Sequence, residues 1–275
     1  MRVLIELPTW LGDAVMTTPA IENIISHFND IEITLLGSFA STQVLKNHPK
    51  VVDCFEIDKS LKGIFNIFHN FQEFDFFFSF RGSYRTKLIK LLIKSKYKYQ
   101  FNKKFDSGEH QVEKYNNFIN HSLKIDSRPG KLNLHLSEVN ISKKNKLLGI
   151  NPGASYGNAK RWYPDKFASV AISLSDDYDI IIFGGDKEKQ IAEDIEKNLI
   201  KKGISNYENL AGKTSITQLM TVISSLDLFV SGDSGPIHIA AAFQIPTVSI
   251  FGPTRVNETS QWMNDKSKVV RKNLD

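Results

Sequence analysis

Short apolar runs alternate with amphipathic stretches along the whole chain. Val3–Leu7, Ile31–Leu36, Asp53–Ile57 and Phe74–Phe80 read as strands. The last is too uniformly apolar to have a wet face, as in a strand covered on both sides. Pro19–Phe28 reads as a helix with proline in its first turn. Tyr84–Lys94 reads as a helix with Lys87, Lys90 and Lys94 on one face and Leu88, Leu91 and Leu92 on another. The polar, lysine-rich segment Ser137–Lys146 breaks the pattern as an interdomain linker. Alternation then restarts, with strands Leu147–Asn151, Ile180–Phe183, Leu228–Ser231 and Thr247–Phe251. Helices are expected at Lys166–Leu174, Lys187–Leu199, Ile216–Ser224 and Pro236–Phe243. Such alternation gives parallel sheets with helices on both faces. The expected fold is therefore α/β, with two Rossmann-like domains, 1–140 and 141–275, facing a central cleft. Ligands in that architecture bind beyond the carboxyl ends of the strands.

Composition narrows the class. Of the 275 residues, 41% are hydrophobic and 24% charged, as in soluble globular proteins. The opening MRVLIELPTW lacks the apolar core and cleavage site of a signal peptide. No apolar run reaches the roughly 18 residues of a membrane span. Cys54 is the only cysteine, which excludes a disulfide framework and a cysteine-based zinc site. A cytoplasmic setting is expected. The net charge of +5 invites an anionic partner, and nine basic residues with no acidic one fall between Arg81 and Lys104. A solvated charged face is the plainer reading of that run.

Three strand-following segments carry candidate chemistry. In Leu228–Phe243 (LFVSGDSGPIHIAAAF) a buried strand runs into Gly-Asp-Ser-Gly and a helix opened by Pro236, with Ser234 or Gly235 at the N-cap. Unpaired N–H groups there favour an anion, and a simple tight turn is the alternative. A hydrolase reading fails, because the position after the serine-glycine pair is Pro236 and the only downstream histidine, His238, lies on the same helix. In Asn151–Trp162 (NPGASYGNAKRW) a loop of small residues is followed by Lys160 and Arg161, a combination suited to a diphosphate. Neither a Walker A sequence nor G-x-G-x-x-G occurs in the chain. In Pro8–Pro19 (PTWLGDAVMTTP) Asp13 stands beside a glycine, on a loop at the carboxyl end of strand one; the plain alternative is a helix N-cap. The Asp-x-Asp at Asp177–Asp179 precedes its strand, at the wrong end for a ligand site, and reads as a solvated turn.

Together these segments resemble the ADP-heptose:lipopolysaccharide heptosyltransferase family, most of all its heptosyltransferase II branch. The resemblance rests on LGD…TTP, NPGASYGNAKRWYPDKFA, FGGDKE at Phe183–Glu188, LAGKTSI at Leu210–Ile216 and SGDSGPIHIAAAFQIPTVSIFGPT at Ser231–Thr254, in the family's order. It implies a GT-B architecture and inverting, metal-independent transfer of heptose from ADP-heptose to the inner core of lipopolysaccharide, with no cofactor. Asp13 is then similar to the family's general base, and Lys160 to the cation facing the donor phosphates. Ser155 and Tyr156 share the Lys160 loop, and Glu188 stands where an acid binds the ribose hydroxyls. Thr214 falls in the adenine-pocket segment, while Asp233, Ser234, Gly235 and His238 fall in the donor-binding turn. The N-terminal domain would bind the acceptor and the C-terminal domain the nucleotide sugar. Members of the family usually continue several tens of residues beyond the point matching Asp275, so the family's last segment is expected to be missing.

Given that resemblance, the basic run acquires a candidate partner. Arg81 and Arg85 are expected to face the anionic acceptor, and Lys87, Lys90 and Lys94 to touch the cytoplasmic face of the inner membrane peripherally. Nucleic acid is not expected, because no recognised binding motif accompanies the charge. The alternatives are a non-catalytic module that binds sugar nucleotide and a transferase of the same fold using another nucleotide sugar.

Overall fold

The computed structural model describes residues 1–57, 71–105, 109–137, 143–153 and 161–271. The chain divides into two compact units, Met1–His135 and Leu136–Asp275.

In the first unit, β1 (Arg2–Glu6), β2 (Glu32–Gly37), β3 (Val51–Glu56), β4 (Phe74–Ser79) and β5 (Ser95–Gln100) form one sheet in the order β3-β2-β1-β4-β5. Every pairing is parallel. The central strand is the first, with Val3 beside Ile33 on one side and Phe76 on the other. Val3, Leu4 and Ile5 are accordingly buried on both faces, as are Phe77 and Phe78 of β4. Each of those phenylalanines contributes about 1.5–3 kcal/mol by leaving water. The chain winds outward through β2 and β3, then returns to the far side of β1 as β4. The winding therefore reverses between β1 and β4.

Serines cap two of the helices on this sheet. Ser38 accepts from Ser41 N ahead of Phe39–Leu45, and Ser83 accepts from Thr86 N ahead of Tyr84–Leu92. His110 and Glu113 cap Gln111–Leu123 reciprocally. The Tyr84 helix ends at Leu92, and Ile93 is already extended (φ −68°, ψ 132°). Lys94 thus lies past the helix, and the expected lysine face reduces to Lys87 and Lys90. Strand β5 was not expected, yet its Lys-Tyr-Lys-Tyr alternation is the period-2 signal of a sheet edge. Tyr97 stacks on Phe76 with centroids 5.0 Å apart, and Tyr99 on Phe78 at 5.4 Å. Lys96 pairs with Asp75 (2.7 Å). The basic run is thereby split between a turn, a helix, an edge strand and the short 3-10 helix Lys103–Phe105.

Asp13 requires another correction. It lies inside a short helix, Leu11–Met16, whose N-cap is Trp10, so it is neither a loop residue nor a cap. The threonines that follow close this helix: Thr17 Oγ1 donates to Ala14 O (2.7 Å) and Thr18 Oγ1 to Val15 O (2.8 Å). Thr17 is also the N-cap of Thr18–Phe28, which carries Pro19 in its first turn. The Thr-Thr-Pro sequence thus ends one helix and starts the next.

In the second unit, β6 (Lys146–Asn151), β7 (Tyr178–Ile182), β8 (Tyr207–Asn209), β9 (Leu228–Gly232), β10 (Thr247–Phe251) and β11 (Ser267–Arg271) form a parallel sheet in the order β11-β10-β9-β6-β7-β8. Leu148, Ile150, Ile180 and Ile182 pack against Phe167, Ala171, Ile195 and Leu199 from the helices Pro164–Leu174 and Lys189–Lys201. The winding reverses between β6 and β9. Strand β8, only three residues long, and the exposed edge β11 were not expected from the sequence. Residues 138–142 of the expected linker lie outside the described residues, and Lys146 already opens β6. Asp179 stands at the amino end of β7, where it accepts from Asn145 Nδ2 (3.0 Å). Among the described residues, no helix is long and apolar enough to cross a membrane.

Candidate functional site

In an open parallel sheet, the carboxyl ends of the two strands flanking the winding reversal leave a crevice for ligands. In the second unit those strands are β6 and β9, which end in Asn151 and Ser231–Gly232. Asn151 Nδ2 donates to Ser231 Oγ (2.9 Å) and to Ser234 Oγ (2.8 Å). Ser231 Oγ in turn donates to Gly232 O (2.8 Å). Ser234 is the N-cap of Gly235–Ala242, but its side chain makes no capping bond because it is turned toward Asn151. The first turn of that helix is left without a side-chain cap. Asp233 is buried and accepts from Thr254 Oγ1 (2.7 Å), which ties the Gly-Asp-Ser-Gly turn to the Gly-Pro-Thr turn after β10. His238 is buried in the same helix.

Glu188 closes a 3-10 turn, Asp186–Glu188, at the carboxyl end of β7. Its Oε2 accepts from Gly185 N (2.9 Å), and its Oε1 lies 3.7 Å from an Arg161 guanidinium nitrogen. Oε1 takes no hydrogen bond among the described residues. Gly153 backs this side chain so closely that a Cβ there would run into Glu188 Cγ. The adjoining Leu210–Ile216 segment is fixed to the same turn, because Gly212 N donates to Gly184 O (2.8 Å). Gly212 holds φ at +69°, which favours glycine. Thr214 is half-buried just before Ser215, the cap of Ile216–Ser224. The structure thus places Glu188, Thr214, Asp233, Ser234, Gly235 and His238 in turns and helix starts that follow the strands of one sheet. Ser155, Tyr156 and Lys160 lie outside the described residues.

In the first unit the strands at the reversal, β1 and β4, end in Glu6 and Ser79. Glu6 is fully buried; its Oε2 accepts from Ser79 Oγ (2.6 Å) and its Oε1 from Thr86 Oγ1 (3.2 Å). Arg81 Nε stands 3.9 Å from Oε1. Burial dominates and holds the Glu6 carboxyl above its ordinary value, against the opposing effects of Ser79, the Arg81 charge, Thr86 and the Arg85 charge. Arg81 and Arg85 are therefore gathered around a buried acid, which sequence reasoning missed. A lone glutamate inside the apolar run Val3–Leu7 was its signal.

Asp13 is half-buried, seven residues beyond Glu6. The Tyr115 hydroxyl is held well above its ordinary value, first by burial and then by the Asp13 charge, with Gln111 opposing. Burial and the Asp53 charge push the Cys54 thiol up to about 11, against the opposing Lys46 charge, and so disfavour its thiolate. Glu22, His48 and His135 also converge, with potential ligand atoms within 4.8 Å of one another. Hydrogen bonding accounts for the Glu22–His48 pair, and the His135 ring stands edge-on to that of His48 with centroids 4.6 Å apart. Lys50 N donates to His48 Nδ1 (3.1 Å), so the neutral ring carries its proton on Nε2, 3.0 Å from Glu22 Oε1. Asn133 Nδ2 donates to the same oxygen (2.8 Å).

Two parallel, doubly wound sheets, each with polar groups gathered at its winding reversal, make up the GT-B fold. Solved structures share this fold. That of Escherichia coli ADP-heptose lipopolysaccharide heptosyltransferase II matches with a TM-score of 0.86 at 22% identity, over 100% of this chain and 92% of the other. An E. coli heptosyltransferase solved with ADP matches with a TM-score of 0.83 at 18% identity, over 99% and 94%. The family model described as glycosyltransferase family 9 (heptosyltransferase) matches residues 76–275. Lipooligosaccharide heptosyltransferase 2 of Campylobacter jejuni is 39% identical over 100% of this chain and 88% of its own length. The chain belongs to glycosyltransferase family 9, the heptosyltransferases.

Proposed function

We propose that this enzyme transfers heptose from ADP-heptose to the inner core of lipopolysaccharide or lipooligosaccharide, with inversion at the anomeric carbon. The observation that carries the reading is the 39% identity, over the whole chain, to a lipooligosaccharide heptosyltransferase 2. In this reading the second unit binds the donor. The uncapped start of Gly235–Ala242 binds the diphosphate, and Lys160, Ser155 and Tyr156 serve the same donor by their likeness to the family's residues. Oε1 of Glu188 is a ready acceptor for a ribose hydroxyl, Thr214 borders the adenine, and Asp233 and His238 brace the turn.

The first unit binds the acceptor. Asp13 takes the proton of the acceptor hydroxyl as its oxygen bonds to the anomeric carbon. The bond from that carbon to the diphosphate oxygen breaks, and ADP leaves from the opposite face with the electron pair. Positive groups around the departing diphosphate stabilise the charge it gains, so no metal ion is called for. Arg81 and Arg85 serve an anionic acceptor.

Peripheral contact with the cytoplasmic face of the inner membrane belongs to the same reading. Support comes from the exposed Lys87, from Tyr84 (87% exposed) and from Leu91 (78% exposed) on one helix. The decisive experiment is Asp13→Asn in the whole chain, assayed with ADP-heptose and inner-core acceptor. ADP affinity and thermal stability should persist while turnover falls by about 10²-fold or more. A normal rate removes Asp13 from the reaction, and failure of the unmutated chain to transfer heptose refutes the function.

A further inference from the structure

Asn151 ends β6 as a buried residue, and its side-chain amide is committed to the turn after β9. Nδ2 reaches two acceptors, Ser231 Oγ (2.9 Å) and Ser234 Oγ (2.8 Å), one for each of its protons. The Ser234 hydroxyl also lies 3.2 Å from Ser231 Oγ and donates to Gly232 O (3.3 Å), so it is held toward the strand ends as acceptor and donor alike. A serine at an N-cap ordinarily accepts from the amide of the second or third helical residue. Here the second is Pro236, which has no N–H, so a cap could only be made to Ile237 N. Ile237 N donates instead to the main-chain oxygen of Ser234 (3.2 Å), and the serine side chain makes no capping bond. The place of a capping oxygen is thus not taken by the serine. The same strand end serves a second group: Gly153 backs Glu188, whose buried Oε1 takes no hydrogen bond among the described residues.

We infer that Asn151 is a positioning residue for the donor's diphosphate. By holding Ser234 toward β6 it keeps that serine from capping its own helix, and leaves the place of the cap to a phosphate oxygen. The inference rests on the donor-binding reading of this turn. Released from Asn151, Ser234 Oγ would turn onto Ile237 N, as serine does at other helix starts, and would compete with the ligand. Asn151 acts through Ser234 rather than on the reacting atoms. Its influence therefore falls on the phosphates and not on the nucleoside.

The test measures Kd for ADP and for adenosine, by calorimetry and by competition, on the whole chain as wild type and as variants. Asn151→Ala should weaken ADP at least about fivefold and adenosine less than about twofold, the scale of losing a position to a capping side chain. Asn151→Ser keeps a polar group in the buried site but is too short to reach Ser234, and should act like alanine; it decides the matter if Asn151→Ala does not fold. Adding Ser234→Ala to either variant removes the competing hydroxyl and should restore most of the lost ADP affinity. A brace with no part in phosphate binding would give the opposite, a further loss in the double variant. Equal weakening of ADP and adenosine, or no recovery on adding Ser234→Ala, overturns the proposal. A wild type that binds ADP without transferring heptose loses the transferase reading, while the Kd ratios still decide the role of Asn151. A wild type that binds ADP no more tightly than adenosine overturns both the phosphate site and the role of Asn151.

Discussion

Replacing Gly153 with alanine tests whether the glycine exists to seat Glu188. The added methyl would run into Glu188 Cγ and lie 3.2 Å from Cδ and 3.3 Å from Cβ. The glutamate is 5% exposed and pinned by its bond to Gly185 N, so it cannot yield cheaply. Overpacking of this kind costs about 1–3 kcal/mol. Forfeiting the bond from Gly185 N to a carboxylate adds about 1.5–3 kcal/mol if the side chain is expelled. Gly153→Ala should therefore destabilise the second unit by about 2–4 kcal/mol. Glu188→Ala alone loses the turn bond and some packing, about 1–3 kcal/mol. In the double variant the obstacle is gone, so Gly153→Ala should cost almost nothing there. Urea unfolding of the four proteins, followed through the transition of the second unit, gives the coupling directly. We expect about 2–4 kcal/mol of non-additivity. Costs that add to within about 0.5 kcal/mol would show that the two residues do not compete for space.

Two further predictions concern the first unit. Lys87→Glu with Lys90→Glu should abolish binding to anionic vesicles, since each lysine near the surface contributes about 1 kcal/mol, and wild-type binding should weaken with salt; a salt-independent wild type would contradict the membrane contact. Burial and the adjacent His48 hold His135 below its ordinary 6.5, with Glu22 opposing. The unfolded chain thus takes up a proton that the folded one resists, and this contribution, full above pH 6.5, is lost as pH falls through the lowered value. His135 Nε2 has no hydrogen bond among the described residues, so His135→Phe should flatten the fall in melting temperature just below pH 6.5. A second fall, at the depressed Glu22 value below 4.5, should remain.

What the sequence disclosed, and what it hid, follows from which interactions are local. Period-2 and period-3.6 patterns marked most strands and helices, because side chains facing one core recur at the period of their own element. β4 shows this in its purest form. Asp13 was found by its neighbours in the chain, but its setting was misjudged. Six residues are too short a stretch for helical periodicity to register, and the stop signals that bound Leu11–Met16 are two threonine hydroxyls donating to main-chain oxygens. β5 was hidden by its lysines, whose charge drew attention to a partner when their alternation with Tyr97 and Tyr99 marked an edge strand.

Glu6 shows the deeper limit. A glutamate within an apolar strand signals a buried charge, and a buried charge requires a partner. The partners Ser79, Arg81 and Thr86 lie more than seventy positions away and reach Glu6 only because β4 returns beside β1. The same sheet order that brings them together also creates the reversal at which ligands bind. An unexplained charge in the first strand of a doubly wound sheet therefore points to the residues after the strand that crosses back beside it. In this chain that strand is β4, and the residues after it include Arg81 and Arg85.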